Sequence, residues 1–194
     1  DGDCLGEGGN HFIHAAKRNP NITVLVHNNE VYGLTTGQAS PTAEVGFLTK
    51  STPAGVVDPP FNPSTLSILS GGTFAARGFA GDIIGLTEMI GKAISHKGFS
   101  VVDVLQPCVT FDKVHTYEWY RKRVQKVNIT GEKLTDRVAA IETARQWGDT
   151  IPIGVFFETT LPTSEEREIS LESGPLYLRP IPVVEVQQTV AQLK

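Results

Sequence analysis

Residues 72–105 read GTFAARGFAGDIIGLTEMIGKAISHKGFSVVDVL, and this stretch decides the fold. Its middle carries Ile83, Leu86, Ile90, Ala93 and Ile94 at spacings of three and four, which predicts a helix over Ile83–His96. Asp82 stands where an N-cap belongs, with a carboxylate to accept the first free amides, and Gly98 is placed to terminate the helix. On either side, Gly72–Phe79 and Phe99–Leu105 have the short apolar composition of strands. Strand, helix and strand in succession make a βαβ unit, whose two strands run parallel.

The same grammar extends outward. Ile22–Val26 (ITVLV) is short, β-branched and apolar, as in a parallel strand covered on both faces. A helix over Asn10–Arg18 precedes it and is stopped by Asn19-Pro20-Asn21, and Gly2, Gly6, Gly8 and Gly9 make a flexible loop before that. Asn28–Phe61, rich in Gly, Thr, Ser and Pro, reads as loop with one short helical turn near Ala43–Thr49; loops of that length usually carry function. Downstream, Tyr117–Val127 and Leu134–Trp147 read as helices and Ile151–Phe157 as a last strand. The expected class is α/β, a mainly parallel sheet with helices on both faces, occupying residues 1–158; residues 159–194 form a Pro-rich, charged C-terminal extension.

The 194 residues are 40% apolar and 20% charged, which excludes a disordered tail or a rod. Seventeen Lys and Arg against 21 Asp and Glu leave a charge of −4, and the longest basic run is Arg121-Lys122-Arg123, so no nucleic-acid partner is expected. Two cysteines exclude a multi-disulfide framework, and no apolar run approaches the roughly 20 residues that span a bilayer. A cytoplasmic protein without a membrane partner is expected. The chain opens on Asp1-Gly2-Asp3 without Met, signal region or preceding strand, and reads as N-terminally truncated.

Asp1-Gly2-Asp3 and Asn28-Asn29-Glu30-Val31-Tyr32-Gly33 flank one helix and one strand, so both fall at the carboxyl edge of the sheet, where α/β folds bind ligands. A carboxylate, an amide oxygen and a backbone carbonyl are hard donors suited to Mg²⁺. Gly6, Gly8 and Gly9 allow backbone to approach a phosphate, and the following helix N-terminus offers amides to it. Taken singly, each piece is better explained as a turn. No G-x-x-x-x-G-K-[ST] is present, and the glycine spacing does not fit G-x-G-x-x-G.

Together the pieces resemble the thiamine diphosphate motif, G-D-G followed about twenty-five residues later by N-N, with the leading Gly missing. The longer strings DGDCLGEGGNHFIHA, NNEVYGLTTGQASPT and, at Gln106–Tyr120, QPCVTFDKVHTYEWY resemble the β subunit of the 2-oxoacid:ferredoxin oxidoreductases over about Asp1–Glu158. That resemblance implies a thiamine diphosphate-binding fold of the pyrophosphate type. It implies that Asp1, the Asn29 side chain and the Val31 carbonyl hold Mg²⁺ against the diphosphate, with Gly2, Asp3 and Gly8 beside the cofactor. Leu34 and Tyr32 would lie near the substrate pocket. The implied reaction decarboxylates a 2-oxoacid, passes electrons through an iron–sulfur centre to ferredoxin and gives the acyl group to coenzyme A. The resemblance does not choose among pyruvate, 2-oxoglutarate, branched-chain and aryl 2-oxoacids.

A lone Cys after a strand is more often a small buried hydrophobe than a ligand, and a 4Fe-4S cluster needs four thiolates. The match of Pro107–Phe111 to the family implies that Cys108 is the cluster's distant fourth ligand, so this chain alone is expected not to retain the cluster. Cys4 matches no ligand and reads as a pocket residue. His14 reads as packing, His11 as a contact to cofactor or substrate, and Lys113, His115 and Arg121–Arg123 as a solvated helix face, with a coenzyme A or ferredoxin surface as the alternative. Neither Glu7 nor Glu30 substitutes for the glutamate that activates the aminopyrimidine; the resemblance puts that residue on an α subunit, so catalysis is expected only with that partner. A subunit of a non-oxidative thiamine diphosphate-dependent decarboxylase is the alternative, and it has no need of Cys108.

Overall fold

In the computed structural model, which describes residues 1–172, 174–179 and 183–193, a π turn at Asp3–Glu7 leads into α1 (Gly9–Arg18) and β1 (Thr23–Asn28). After β1 come a two-stranded ribbon, β2 (Val31–Tyr32) and β3 (Gln38–Ala39), and then α2 (Pro63–Ser70). β4 (Phe74–Phe79), α3 (Ile83–Ser95) and β5 (Ser100–Leu105) form the expected βαβ unit. α4 (Tyr117–Arg121), β6 (Val124–Lys126), a 3₁₀ turn at Gly131–Thr135, α5 (Arg137–Ala144) and β7 (Ile151–Glu158) follow. The remaining residues carry α6 (Ser164–Arg167) and α7 (Val183–Gln192).

The main sheet has the order β1-β5-β4-β7-β6. β1, β5 and β4 are mutually parallel and β6 is parallel to β7, but β7 runs antiparallel to β4, so the sheet is mixed at that seam. Alternation along the strands divides the core. Ala75, Val101 and Phe157 face Phe12, Ala16, Ile68, Ala140 and Ala144 of α1, α2 and α5, while Ala76, Val102 and Val104 face Leu86, Met89 and Ala93 of α3. Helices thus cover both faces.

Asp82 caps α3 as expected, accepting from Gly85 N at 3.3 Å. The apolar stripe of α3 is narrower than its spacing suggests, because Ile83 and Ile94 are exposed at its ends. Leu86 closes instead over Gly78, where an added Cβ would stand 2.6 Å from Leu86 Cδ1. The predicted helix Tyr117–Val127 ends at Arg121, and residues 124–126 become a strand because pairing with β7 outweighs their helical spacing. The predicted helix Leu134–Trp147 shrinks to α5, since Asp136 accepts from Val138 N and Ala139 N and so sets the start.

Other expectations are also corrected. β1 lies at the sheet edge, with Val26 buried and Leu25 and His27 exposed, so it is covered on one face only. Residues 43–49 form no helical segment: they turn through Phe47 N→Glu44 O and pair with Val56 through Gly46 N→Val56 O and Val56 N→Phe47 O. Asp3–Glu7, expected as flexible loop, is closed by the wide bond Gly8 N→Asp3 O at 2.7 Å. α2 has no counterpart among the expected elements, although Asn62 caps it at Thr65 N and Pro63 occupies its first turn.

Beyond β7 the chain turns onto the amino edge of the sheet. Thr159 N donates to Thr73 O, Asn19 Nδ2 to Leu161 O and Pro162 O, and Ser164 N to Asn19 O. Thr163 and Glu166 close a capping box over α6.

Candidate cofactor site at the carboxyl edge

The ends of β1 and β5 are level, Asn28 opposite Leu105, so the segments leaving both strands emerge side by side. Asp1 joins them there. Its Oδ1 accepts from Gly2 N at 2.7 Å, and its Oδ2 gathers Asn29 N at 3.1 Å, Glu30 N at 2.7 Å, Ser40 Oγ at 3.0 Å and Thr42 Oγ1 at 2.9 Å. Charge-assisted donors of this kind are short and strong, and they lock the opening turn to the Asn28–Tyr32 segment. Asn29 Oδ1 accepts from Val31 N at 3.1 Å.

This donor set fits a hard dication. Oδ2 of Asp1 is saturated by its four donors, whereas Oδ1 has one protein donor and Asn29 Oδ1 has one, so each keeps a lone pair. Among the described residues the Asp1 carboxylate makes no ion pair that would compete. Close approach explains two glycines of the opening turn. A Cβ on Gly2 would stand 2.4 Å from the Tyr32 ring, and one on Gly6 would stand 2.3 Å from Tyr32 Oη. Tyr32 Oη has two acceptors at 3.4 Å for its one proton, Gly2 O and Glu7 Oε1.

Beneath Asp1 a buried network runs into the sheet. Thr42 Oγ1 also lies 2.8 Å from Asn28 Oδ1, Asn28 Nδ2 donates to Asp103 Oδ1 at 2.9 Å, and Arg77 Nε donates to Asp103 Oδ2 at 2.8 Å. Arg77 Nη2 reaches Ala144 O at 3.0 Å. Arg77 and Asp103 are 1% and 0% exposed, so the pair neutralises charges that neither strand could bury alone.

A second polar cluster adjoins the first. Glu30, 1% exposed, accepts from Tyr120 Oη at 3.3 Å and from Glu44 N at 3.2 Å. His115, expected on a solvated face, is instead buried, with Nδ1 2.8 Å from Asp112 Oδ2 and 3.7 Å from Glu30 Oε2, and Nε2 3.6 Å from Glu44 Oε1. Burial alone would lower the imidazole pKa, but the hydrogen bond to Asp112 and the nearby carboxylates of Glu44 and Glu30 push it up to about 10. Burial raises Glu30 to about 7, although the facing imidazole opposes the rise. Sequence spacing gave no sign of this cluster, because its members come from separate loops.

The remaining expected site residues scatter. Cys108 is half-buried and packs against the cluster of Val31, Ala43 and Phe47, which brings it to the cofactor edge. Cys4 is half-buried against the α1 core, and burial raises its thiol pKa. Gly2 is buried and Asp3 exposed, while Gly8 closes the π turn. His11 and His14 are both exposed, so His14 does not pack. Tyr32 borders a cleft of about 520 Å³ with Ser40, Pro41, Val57 and Phe61. Leu34, 98% exposed, stands outside it.

Residues 1–104 match the family "Thiamine pyrophosphate enzyme, C-terminal TPP binding domain", and residues 108–172 match the family described as the C-terminal part of the pyruvate ferredoxin oxidoreductase beta subunit. The chain is 47% identical over 188 residues to the 2-oxoacid:ferredoxin oxidoreductase subunit beta of Saccharolobus solfataricus, covering 92% of this chain and 61% of that relative. It is 52% identical over 112 residues to 2-oxoglutarate oxidoreductase subunit KorB of Mycobacterium tuberculosis, covering 58% of this chain and 30% of the relative. A solved 2-oxoglutarate:ferredoxin oxidoreductase from Magnetococcus marinus, with 2-oxoglutarate, coenzyme A and succinyl-CoA bound, matches all of this chain and 65% of its own at TM-score 0.87 and 32% identity. The chain belongs to the thiamine pyrophosphate-binding enzymes and, within them, to the β subunits of the 2-oxoacid:ferredoxin oxidoreductases. It spans about 61% of the length of the Saccharolobus relative.

Proposed function

We propose that this chain supplies the diphosphate-binding half of an active site that oxidatively decarboxylates a 2-oxoacid to an acyl-CoA. Residues 1–158 would form the pyrophosphate-binding domain and residues 159–194 an extension that leaves from β7. The observation that carries the reading is the Asp1 carboxylate, bound to Asn29 N and Glu30 N with a lone pair left on Oδ1. Asp1, Asn29 and the Val31 carbonyl would hold Mg²⁺, and Gly2, Asp3 and Gly8 would border the diphosphate. Thiamine diphosphate, when bound, supplies the carbanion chemistry at the 2-oxo carbon. The chain's own residues would bind and orient: Asp1 would anchor the metal, backbone at the narrow Gly2–Gly6 turn would approach the phosphates, and Tyr32 bounds the cleft in which the 2-oxoacid would sit, with Leu34 in the loop that follows.

Cys108, on the segment after β5, would be the fourth ligand of a 4Fe-4S cluster, placing the electron acceptor at the same edge. Ferredoxin and coenzyme A would be the further partners, and an α subunit would supply the glutamate that activates the aminopyrimidine. The unpaired thiols accord with a cytoplasmic setting. Among the described residues, no helix is long and apolar enough to cross a membrane. The non-oxidative alternative gives no reason for the Cys108 segment to pack on the cofactor loop.

Anaerobic reconstitution of the full-length β chain with its α partner tests the reading. Broad visible absorption and 2-oxoacid-dependent dye reduction that requires coenzyme A are expected; a colourless complex that releases only aldehyde would refute the redox assignment. Asp1→Ala and Asn29→Ala should each abolish Mg²⁺-dependent thiamine diphosphate binding, and unchanged affinity in both would refute the metal site.

A further inference from the structure

Glu30 sits between the two residues assigned to the metal on this loop, and its backbone is unusual. Its φ is 64°, in the left-handed region that glycine or asparagine takes readily and glutamate does not. That turn aims Asn29 N and Glu30 N together at Asp1 Oδ2. A glutamate in a place suited to glycine needs a compensating role for its side chain, and here the side chain is fully engaged. Oε1 takes Tyr120 Oη, and Oε2 takes Glu44 N and faces His115 Nδ1 at 3.7 Å. His115 is tethered in turn to Asp112 by both its ring and its backbone N–H, and Asp112 N donates to Cys108 O at 3.1 Å. Phe47 and Trp119 wall the imidazole, with ring centroids at 5.6 and 4.8 Å. Glu30, Glu44 and His115 bring ligand atoms within 4.8 Å of one another, but both Glu30 oxygens and both ring nitrogens already face partners, so the cluster closes without an ion.

We propose that Glu30 and His115 are a positioning pair: their contact holds the left-handed turn between Asn29 and Val31 in the shape that presents the metal donors, and ties that turn to the Cys108 segment. This rests on the metal and cluster assignments made above. The pair binds neither metal nor substrate; it acts through the backbone it holds, as partners behind metal ligands do.

The test uses the full-length β chain with its α partner, free of cofactor, and titrates Mg²⁺ at fixed thiamine diphosphate, reading bound cofactor by calorimetry. Glu30→Ala and His115→Gln should each raise the Mg²⁺ half-saturation about tenfold or more, within the range seen when such supports are removed. Glu30→Gly, which takes the turn without strain, should be affected less than Glu30→Ala. The double variant Glu30→Ala/His115→Gln should be no worse than the worse single variant, because both remove one contact. The low-temperature EPR spectrum of the reduced cluster should shift in Glu30→Ala, a response that loss of stability alone would not give. Half-saturation within twofold of wild type in Glu30→Ala, or fully additive effects in the double variant, would overturn the positioning role. If Glu30→Ala fails to assemble, Glu30→Gly serves instead, with wild-type half-saturation and an unshifted spectrum as the overturning result. A wild-type complex that binds no Mg²⁺–thiamine diphosphate would overturn the metal site itself, and the positioning role with it.

Discussion

Asn28 and Asp103, on adjacent parallel strands, share a buried hydrogen bond of 2.9 Å, and through it the turn that carries Asp1 is joined to the Arg77 ion pair. Removing one member of a buried pair leaves the other charge uncompensated. Arg77→Met should therefore destabilise the chain by about 3–5 kcal/mol, whereas the double change Arg77→Met/Asp103→Asn, which removes the stranded charge and keeps an acceptor for Asn28 Nδ2, should recover part of the loss. Urea denaturation of the three proteins checks this, and equal midpoints for the single and double variants would contradict it.

Gly2 lies against the Tyr32 ring, 2.4 Å from where its Cβ would stand. Gly2→Ala should push Tyr32 away and weaken cofactor binding, and Tyr32→Leu, which shortens the obstructing side chain, should relieve part of the defect when combined with it. Cofactor titration of single and double variants is the measurement. An unimpaired Gly2→Ala would mean that the turn and Tyr32 are not locked together.

Asp82 holds Gly85 N and pairs with Lys126 Nζ at 2.7 Å, linking the start of α3 to β6. Asp82→Ala should cost about 1 kcal/mol, mostly from the lost cap, while Lys126→Ala should cost little because its ammonium is exposed. Thermal unfolding of both variants should show this order; the reverse order would place the stabilising weight on the ion pair.

His96 is held below the usual imidazole pKa by burial, with Glu158 at 3.9 Å opposing the shift, and its Nε2 bonds Thr73 Oγ1 at 2.9 Å. A base with a depressed folded pKa binds fewer protons folded than unfolded. Its contribution is present above about pH 6.5, the unfolded value, and is lost as the pH falls toward the folded one. His96→Gln should flatten the slope of stability against pH below about 6.5. An unchanged slope in denaturation curves across that range would assign the dependence elsewhere.

What could be read from the chain was local. The stretch Gly72–Leu105 declared itself because cap, stripe and strand composition agree within one short segment, and Asp82 and Leu86 take the places their spacing predicts. Asp1 and Asn29 could be matched because each belongs to a short string, and folding brings them within 3.1 Å. β6 was hidden because Val124 and Val127 continue the three-and-four spacing of Tyr117 and Tyr120, and only β7, folded alongside, makes residues 124–126 a strand. Glu30 and His115 were hidden for a deeper reason. A carboxylate and an imidazole in separate loops carry no period or spacing, so their meeting is decided by how two loop segments pack. The left-handed φ that marks Glu30 likewise appears only in three dimensions.

β7 runs against β4, and that reversal divides the labour of the molecule. Because Phe74 lies opposite Glu158, the chain leaves its last strand at the edge remote from Asp1 and is fastened there by Thr73 and Asn19. Residues 159–167 are therefore built onto the end of the sheet opposite Asp1, with Thr163 buried and Arg167 reaching back to Arg18 O. The reversal thus separates the two ends of the sheet, the loops around Asp1 gathering at one and the chain beyond Glu158 at the other.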